Sequence, residues 1–208
     1  MFKYITLLFF AFSLQGHGVE TAPTEAESRS YLDQIIQEAK AVASKEGHEV
    51  EFSKMLRQHF DLKYMVGQVL REVVRDLLIN NNRDRAKVAS IIDPFTDRFI
   101  NKFSDYILKV YSTPEKIKIF KNSQHSYKSY ESPAGSNMAV VTYNFKMGSD
   151  QGGDTPVKFY LSKTGKDIKI KDVDLDAFNF VKNEAEVVSS LYKNNNKDLE
   201  KLLSLYGK

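Results

Sequence analysis

The sequence predicts an α+β fold, with helices gathered on one face of an antiparallel sheet, and three observations carry that prediction. Apolar positions recur at three-four spacing through residues 24–111. From about residue 117 they alternate with period two, in runs separated by turns rich in Gly, Asp and Lys. Helical spacing then resumes with Val187, Val188 and Leu191. An antiparallel sheet covered on one face twists into a half-pipe, and helices laid across it can enclose a pocket.

The chain begins MFKYITLLFFAFSLQGHGVE, with Lys3 ahead of an apolar run from Tyr4 to Leu14. The run is too short to span a bilayer as a helix. Its positive flank and the small Gly16 and Gly18 give it the form of a secretory signal peptide cut near Gly18, with Ala22 a second site. Residues 1–18 are accordingly read as a signal peptide and 19–208 as a single exported domain. An uncleaved anchor or a buried first helix is the competing reading.

Leu32, Ile35, Ile36, Ala39, Val42 and Ala43 form the apolar stripe of a first helix, with Thr24 and Glu27 at capping-box distance and Gly47 as its stop. Phe52, Met55 and Leu56 continue the pattern to about His59. Asp61 is placed to cap one further helix that buries Met65, Val66, Val69, Leu70, Val73, Val74 and Leu77, ended by Asn80, Asn81 and Asn82. A long helix from Asp84 to Tyr111 follows, and Pro94 is expected to break or kink it near Asp93. Ile117 and Ile119 open a strand toward Tyr130, and Ala139 to Met147 is the clearest strand. After the turn at Gly148–Asp154, Val157, Phe159 and Leu161 mark the returning strand and Lys163–Lys166 the next turn. The last strand begins at Asp167. Its apolar phase slips between Ile170 and Val173, which predicts a bulge near Lys171-Asp172. A helix around Val187–Leu191 and a short one at Leu199–Leu203 close the chain.

A chain of 208 residues buries enough surface to fold without disulfide or metal. It has no cysteine, which removes thiolate zinc sites, a cysteine nucleophile and a lipid-modified N-terminal cysteine. A formal charge of +3 with the signs interspersed is too weak a field for a dedicated nucleic-acid binder. No glycine-rich phosphate loop, G-x-S-x-G, H-E-x-x-H or calcium-loop pattern occurs, and His48, His59 and His125 lie too far apart in sequence for a helical metal pair. His59 reads as a neighbour of a helix cap rather than a general base. Asp172 and Asp174 share a strand face, either as a raised-pKa pair or as a solvated face opposite Lys169 or Lys171. The lysines at 163, 166, 169 and 171, and at 116, 118 and 121, read as guards of strand edges or as attractors of phosphate or an anionic membrane.

Several segments together are similar to one family. Phe60-Asp-Leu-Lys-Tyr-Met-Val-Gly-Gln-Val-Leu70, Phe95-x-x-x-Phe99 with Tyr106-x-x-x-x-Tyr111, and Lys169-Ile-Lys-Asp-Val173 followed by Phe178-Asn-Phe-Val-Lys-Asn183 resemble the MlaC family of periplasmic phospholipid-binding proteins, in the family's order. Asp61 and Asp172 match. The chain departs from the family pattern at Arg71, Val74, Ile168, Ala177, Asn179, Glu184 and Ala185.

The resemblance implies an NTF2-like fold: a helical layer on a curved four-stranded antiparallel sheet, enclosing an apolar pocket for phospholipid tails. It implies a carrier without cofactor or catalytic role, shuttling lipid between an outer-membrane lipoprotein-porin complex and an inner-membrane ABC transporter bearing an MCE-domain ring. The pattern makes Met65, Val69, Phe95, Phe99, Phe103, Tyr143, Phe145, Phe159, Leu161, Ile170 and Val173 the expected cavity lining. Two other classes compete. An enzyme would place a carboxylate on an inward strand face, where this sequence has Val, Tyr, Phe and Leu, and a structural periplasmic adaptor would carry no lipid.

Overall fold

The computed structural model describes residues 19–43, 48–79, 85–110, 114–146, 154–175 and 178–207. The predicted stops and turns at Gly47, Asn80–Asn82 and 148–153, and the signal segment 1–18, lie outside them. Helices α1 (Glu25–Val42), α2 (His48–His59), α3 (Leu62–Val69), α4 (Arg71–Ile79), α5 (Arg85–Val110) and α6 (Pro114–Asn122) come first, after a two-residue strand β1 (Glu20–Thr21). The meander β2 (Gln124–Glu131), β3 (Ala139–Lys146), β4 (Thr155–Thr164) and β5 (Asp167–Leu175) follows. A two-residue β6 (Phe178–Asn179) then leads directly into α7 (Phe180–Asn194), and α8 (Leu199–Leu205) ends the described chain.

All pairings between these strands are antiparallel, in the order β2-β3-β4-β5-β6, with β1 added to β4. The α+β class and the open sheet are as predicted. Beyond the four expected strands, the sheet gains β1 and β6, which at two residues each carry no periodicity to read. Val141, Tyr143 and Phe145 of β3 and Val157, Phe159 and Leu161 of β4 are buried on the face that meets the helices. Lys158 is exposed on the other, as alternation requires.

The predicted bulge is present. Tyr160 pairs with Asp172 and Leu161 with Ile170, which leaves Lys171 as the extra residue. A second irregularity falls between Tyr127 and Ser129. A bulge of this kind sharpens the local right-handed twist of the strand. Gly165, at φ 63°, takes the left-handed turn between β4 and β5 that its missing side chain permits.

Two expectations are corrected. The strand expected to open at Ile117 and Ile119 begins only at Gln124, because residues 114–122 are helical. Pro114 at the first helical position, Glu115 in the first turn and Lys121 in the last all suit a helix, and two alternating isoleucines are too few to outweigh them. The single helix expected after Asp61 is two, α3 and α4, divided at Leu70, whose φ −84° and ψ 2° end α3. The buried stripe continues across that joint through Val69, Leu70 and Val73. Pro94 lies inside α5, which runs over 26 residues without the break that is one of the two outcomes expected there. Ile91 and Phe95, on either side of it, are both fully packed, so burial of one continuous stripe holds the helix together where a backbone bond is lost.

Candidate functional site

One contiguous apolar cluster fills the space between helices and sheet. Of the expected lining residues, Met65, Val69, Phe95, Phe99, Phe103, Tyr143, Phe145, Phe159, Leu161 and Ile170 are all buried in it, and Val173 is half-buried against it. Helices α3 and α5 contribute the first group, strands β3, β4 and β5 the second. Cross-strand pairing aligns the second group: Val141 stands opposite Phe159, Phe159 opposite Val173, and Leu161 opposite Ile170.

The sequence reading missed the aromatic residues that continue this cluster. Phe180, the first residue of α7, packs on Phe103 at 4.4 Å and on Phe99 at 5.5 Å between ring centroids. Tyr106 stacks on Phe178 at 5.1 Å and meets Phe180 at 5.7 Å. Phe60 meets Phe103 at 5.4 Å, and Tyr206 stacks on Phe95 at 4.4 Å. The signal was present in Phe178-Asn-Phe180, whose short period-two run preceded a helix, and in Tyr206, one turn beyond Leu202.

Polar groups surround the cluster. Asp61 caps α3 as expected, its Oδ1 accepting from the Tyr64 N–H at 2.9 Å. Its second oxygen, with Glu20, accepts from Lys171 Nζ at 2.5 and 2.6 Å. Lys171 is 3% exposed and is therefore no edge guard. The bulge turns it toward α3, with the ammonium 4.7 Å above the Tyr64 ring. Burial alone pulls its pKa down, but the hydrogen bonds to Asp61 and Glu20 outweigh that and hold it above the ordinary lysine value.

Asp172 and Asp174 face neither Lys169, which reaches Gln58 O, nor Lys171. Asn179 Nδ2 bonds both carboxylates, and Tyr160 donates to Asp174 at 2.7 Å. Burial pushes the Asp172 carboxyl up, and both aspartates are half-buried, with Asn179 and Tyr160 as partners in place of the expected Lys169 or Lys171. Both aspartates pair opposite Lys158 and Tyr160, on the sheet face away from the apolar cluster. Asn179 Oδ1 meanwhile accepts from Lys182 N, which caps α7.

His59 is buried at the end of α2, its Nε2 3.0 Å from Glu38 and its Nδ1 3.3 Å from the Tyr31 hydroxyl. Glu184, one of the departures from the family pattern, is buried and accepts from Tyr206 at 2.7 Å and from Lys102 at 2.8 Å. Lys163 spans to both oxygens of Glu27 at 2.8 Å. Among the described residues no group of three His, Asp or Glu side chains is placed to hold a metal ion. None of the described helices is long and apolar enough to cross a membrane.

The arrangement is a packed apolar cluster between the helices and one face of the sheet, with polar groups hydrogen-bonded at its margins. Comparison with known proteins fits it. A search of the curated proteins found no match. Among solved structures, a phospholipid-binding protein from Ralstonia solanacearum, determined in complex with a phospholipid, is similar over 89% of this chain and 95% of that one, with a TM-score of 0.60 at 12% identity. The likeness extends to the fold. The family model of the MlaC protein matches residues 28–205, nearly the whole described domain, and the chain belongs to the MlaC family.

Proposed function

We propose that this protein is a periplasmic phospholipid carrier. Its family membership over residues 28–205 is the observation that carries the reading. The apolar cluster under the sheet supports it, as does a structural neighbour solved with a phospholipid bound. Acyl chains displace or spread the side chains of Met65, Val69, Phe95, Phe99, Phe103, Tyr143, Phe145, Phe159, Leu161, Ile170 and Val173, and the headgroup stays at the margin. Each buried methylene contributes about 0.8 kcal/mol, so extraction from a bilayer requires most of both chains to be covered. Headgroup contacts can then remain loose, and selectivity among headgroups is expected to be low.

The carrier receives and delivers lipid between an outer-membrane lipoprotein-porin complex and an inner-membrane ABC transporter with an MCE-domain ring. The transporter supplies the energy, and the carrier itself catalyses nothing and needs no cofactor. A leader ending ahead of Glu20 exports it. Cleavage at Gly18 is favoured over Ala22 because Glu20 is one of the two carboxylates that neutralise Lys171.

The test is native mass spectrometry of the protein purified from a Gram-negative periplasm, with lipid identification from an organic extract. An adduct of one phospholipid mass is expected. A bare mass, unchanged after incubation with lipid vesicles, overturns the carrier in favour of a structural adaptor.

A further inference from the structure

The sheet has two outer margins, at β2 and at β5–β6, and they are closed by different chemistry. At the β5–β6 margin the chain itself runs from β6 into α7, and Tyr106, Phe178, Phe180 and Phe103 stack across the junction. Parting that margin exposes aromatic surface to water.

At the β2 margin the α1 side chains that meet β2 and β3 are polar, while the backbone ties α1 to the sheet at its N-terminal end, through β1 on β4. Glu25, Arg29 and Asp33 lie about one turn apart on one face of α1, and Lys40 follows about two turns later. The Arg29 guanidinium lies 4.4 Å over the Tyr127 ring, with the Glu25 carboxylate 4.0 Å from it one turn earlier on the helix. Asp33 Oδ1 accepts from the Tyr143 hydroxyl at 2.8 Å and lies 3.7 Å from His125 Nε2. Lys40 Nζ donates to Ser123 O at 2.5 Å. Water replaces contacts of this kind at small net cost, because each partner is hydrogen-bonded again when they separate. The apolar stripe of α1, Leu32, Ile35 and Ile36, lies beside this polar face and is buried. Behind the seam stand Tyr143 and Phe145, with His125 within 6 Å of both rings.

We infer that acyl chains pass in and out between α1 and the β2–β3 margin, with Asp33 as the latch that holds Tyr143 and His125 while the seam is closed. The inference rests on the carrier reading. It gives that reading a direction of opening: α1 lifts from β2, while α5, α7 and β6 stay together.

The chain has no native cysteine, so engineered pairs report cleanly. One variant carries Arg29→Cys with Tyr127→Cys across the seam, the other Tyr106→Cys with Phe178→Cys across the aromatic margin. Each pair is joined with a short, thiol-reducible bis-methanethiosulfonate linker. Uptake of a fluorescent phosphatidylglycerol from vesicles is then followed before and after reduction. The seam-locked protein is expected to lose uptake relative to its own reduced form and regain it on reduction, and the aromatic-margin lock to load at the rate of its own reduced form. Uptake by the locked seam as fast as by its reduced form, or a block only at the aromatic margin, overturns the route and leaves the carrier standing. Failure of both reduced variants and of the parent chain to take up lipid overturns the carrier reading and the route with it. Recovery on reduction also establishes that the substituted chain folds.

Discussion

The α1–β2 margin and the α5–α7–β6 margin cover the same sheet, yet one is held by hydroxyl, carboxylate and guanidinium contacts and the other by stacked rings. The first kind of contact is specific in geometry and inexpensive to reverse in water. The second is tolerant in geometry and costly to reverse, because burial of apolar area is lost all at once. A protein that has to open and still remain folded gains from keeping the two apart.

Substitutions break or sharpen that contrast in a graded way. The largest effect is expected at the aromatic margin, where Phe103→Ala removes a ring packed against Phe60, Phe99 and Phe180. It should cost about 3–5 kcal/mol in urea unfolding, and a loss under about 1 kcal/mol would show that these rings do not hold the domain together. Next is Asp61→Ala, which removes the α3 cap and one carboxylate of buried Lys171 together. A loss of about 3 kcal/mol is expected, with Asp61→Asn milder because it still caps. At the seam, Tyr143→Phe should cost only about 1 kcal/mol. A double-mutant cycle with Asp33→Ala should return most of that figure as coupling, and additivity of the two changes would dissolve the latch.

Two pH effects are smaller still. Burial, then Lys40, pulls the His125 pKa below its ordinary value, with Asp33 opposing. The folded state therefore binds a proton less readily than the unfolded one, and this contribution to stability is complete above about pH 6.5 and declines as pH falls below it. His125→Gln should flatten that part of a stability-pH curve, and a curve unchanged by the substitution would place the titration elsewhere. Glu27, held at about 2 by hydrogen bonds to Lys163 and Thr24, contributes above the unfolded carboxylate value and loses that contribution as pH falls from about 4.5 toward 2. Lys163→Met should shallow the acid limb of the same curve.

The parts of the molecule that repeat were legible in the sequence, and the parts that depend on a single crossing were not. The stripe from Met65 to Leu77 and the ladder Val141, Tyr143, Phe145 have enough repeats for their period to identify both the element and its buried face. The bulge was readable because it shifts the phase of everything after it. Residues 114–122 misled because two isoleucines two apart fit a strand while the capping chemistry fitted a helix. In sequence Lys171 reads as an edge guard or an anion attractor because lysine usually lies at the surface; nothing local announces that Glu20, 151 positions away, comes to meet it. The same holds for Asp33 with Tyr143, and for Glu184 with Lys102 and Tyr206. Long-range polar pairs have no period, so one sequence does not display them.

Asn179 caps α7 through its oxygen and ties Asp172 and Asp174 through its nitrogen. One amide thus belongs to a strand ladder and to a helix start at the same time. Neither can fray without releasing the other, so β5, β6 and the first turn of α7 should open as one cooperative unit, their backbone amides exchanging with solvent at a common free energy. These contacts lie on the face away from the apolar cluster, and the unit they tie gives the sheet a fixed wall against which α1 can move.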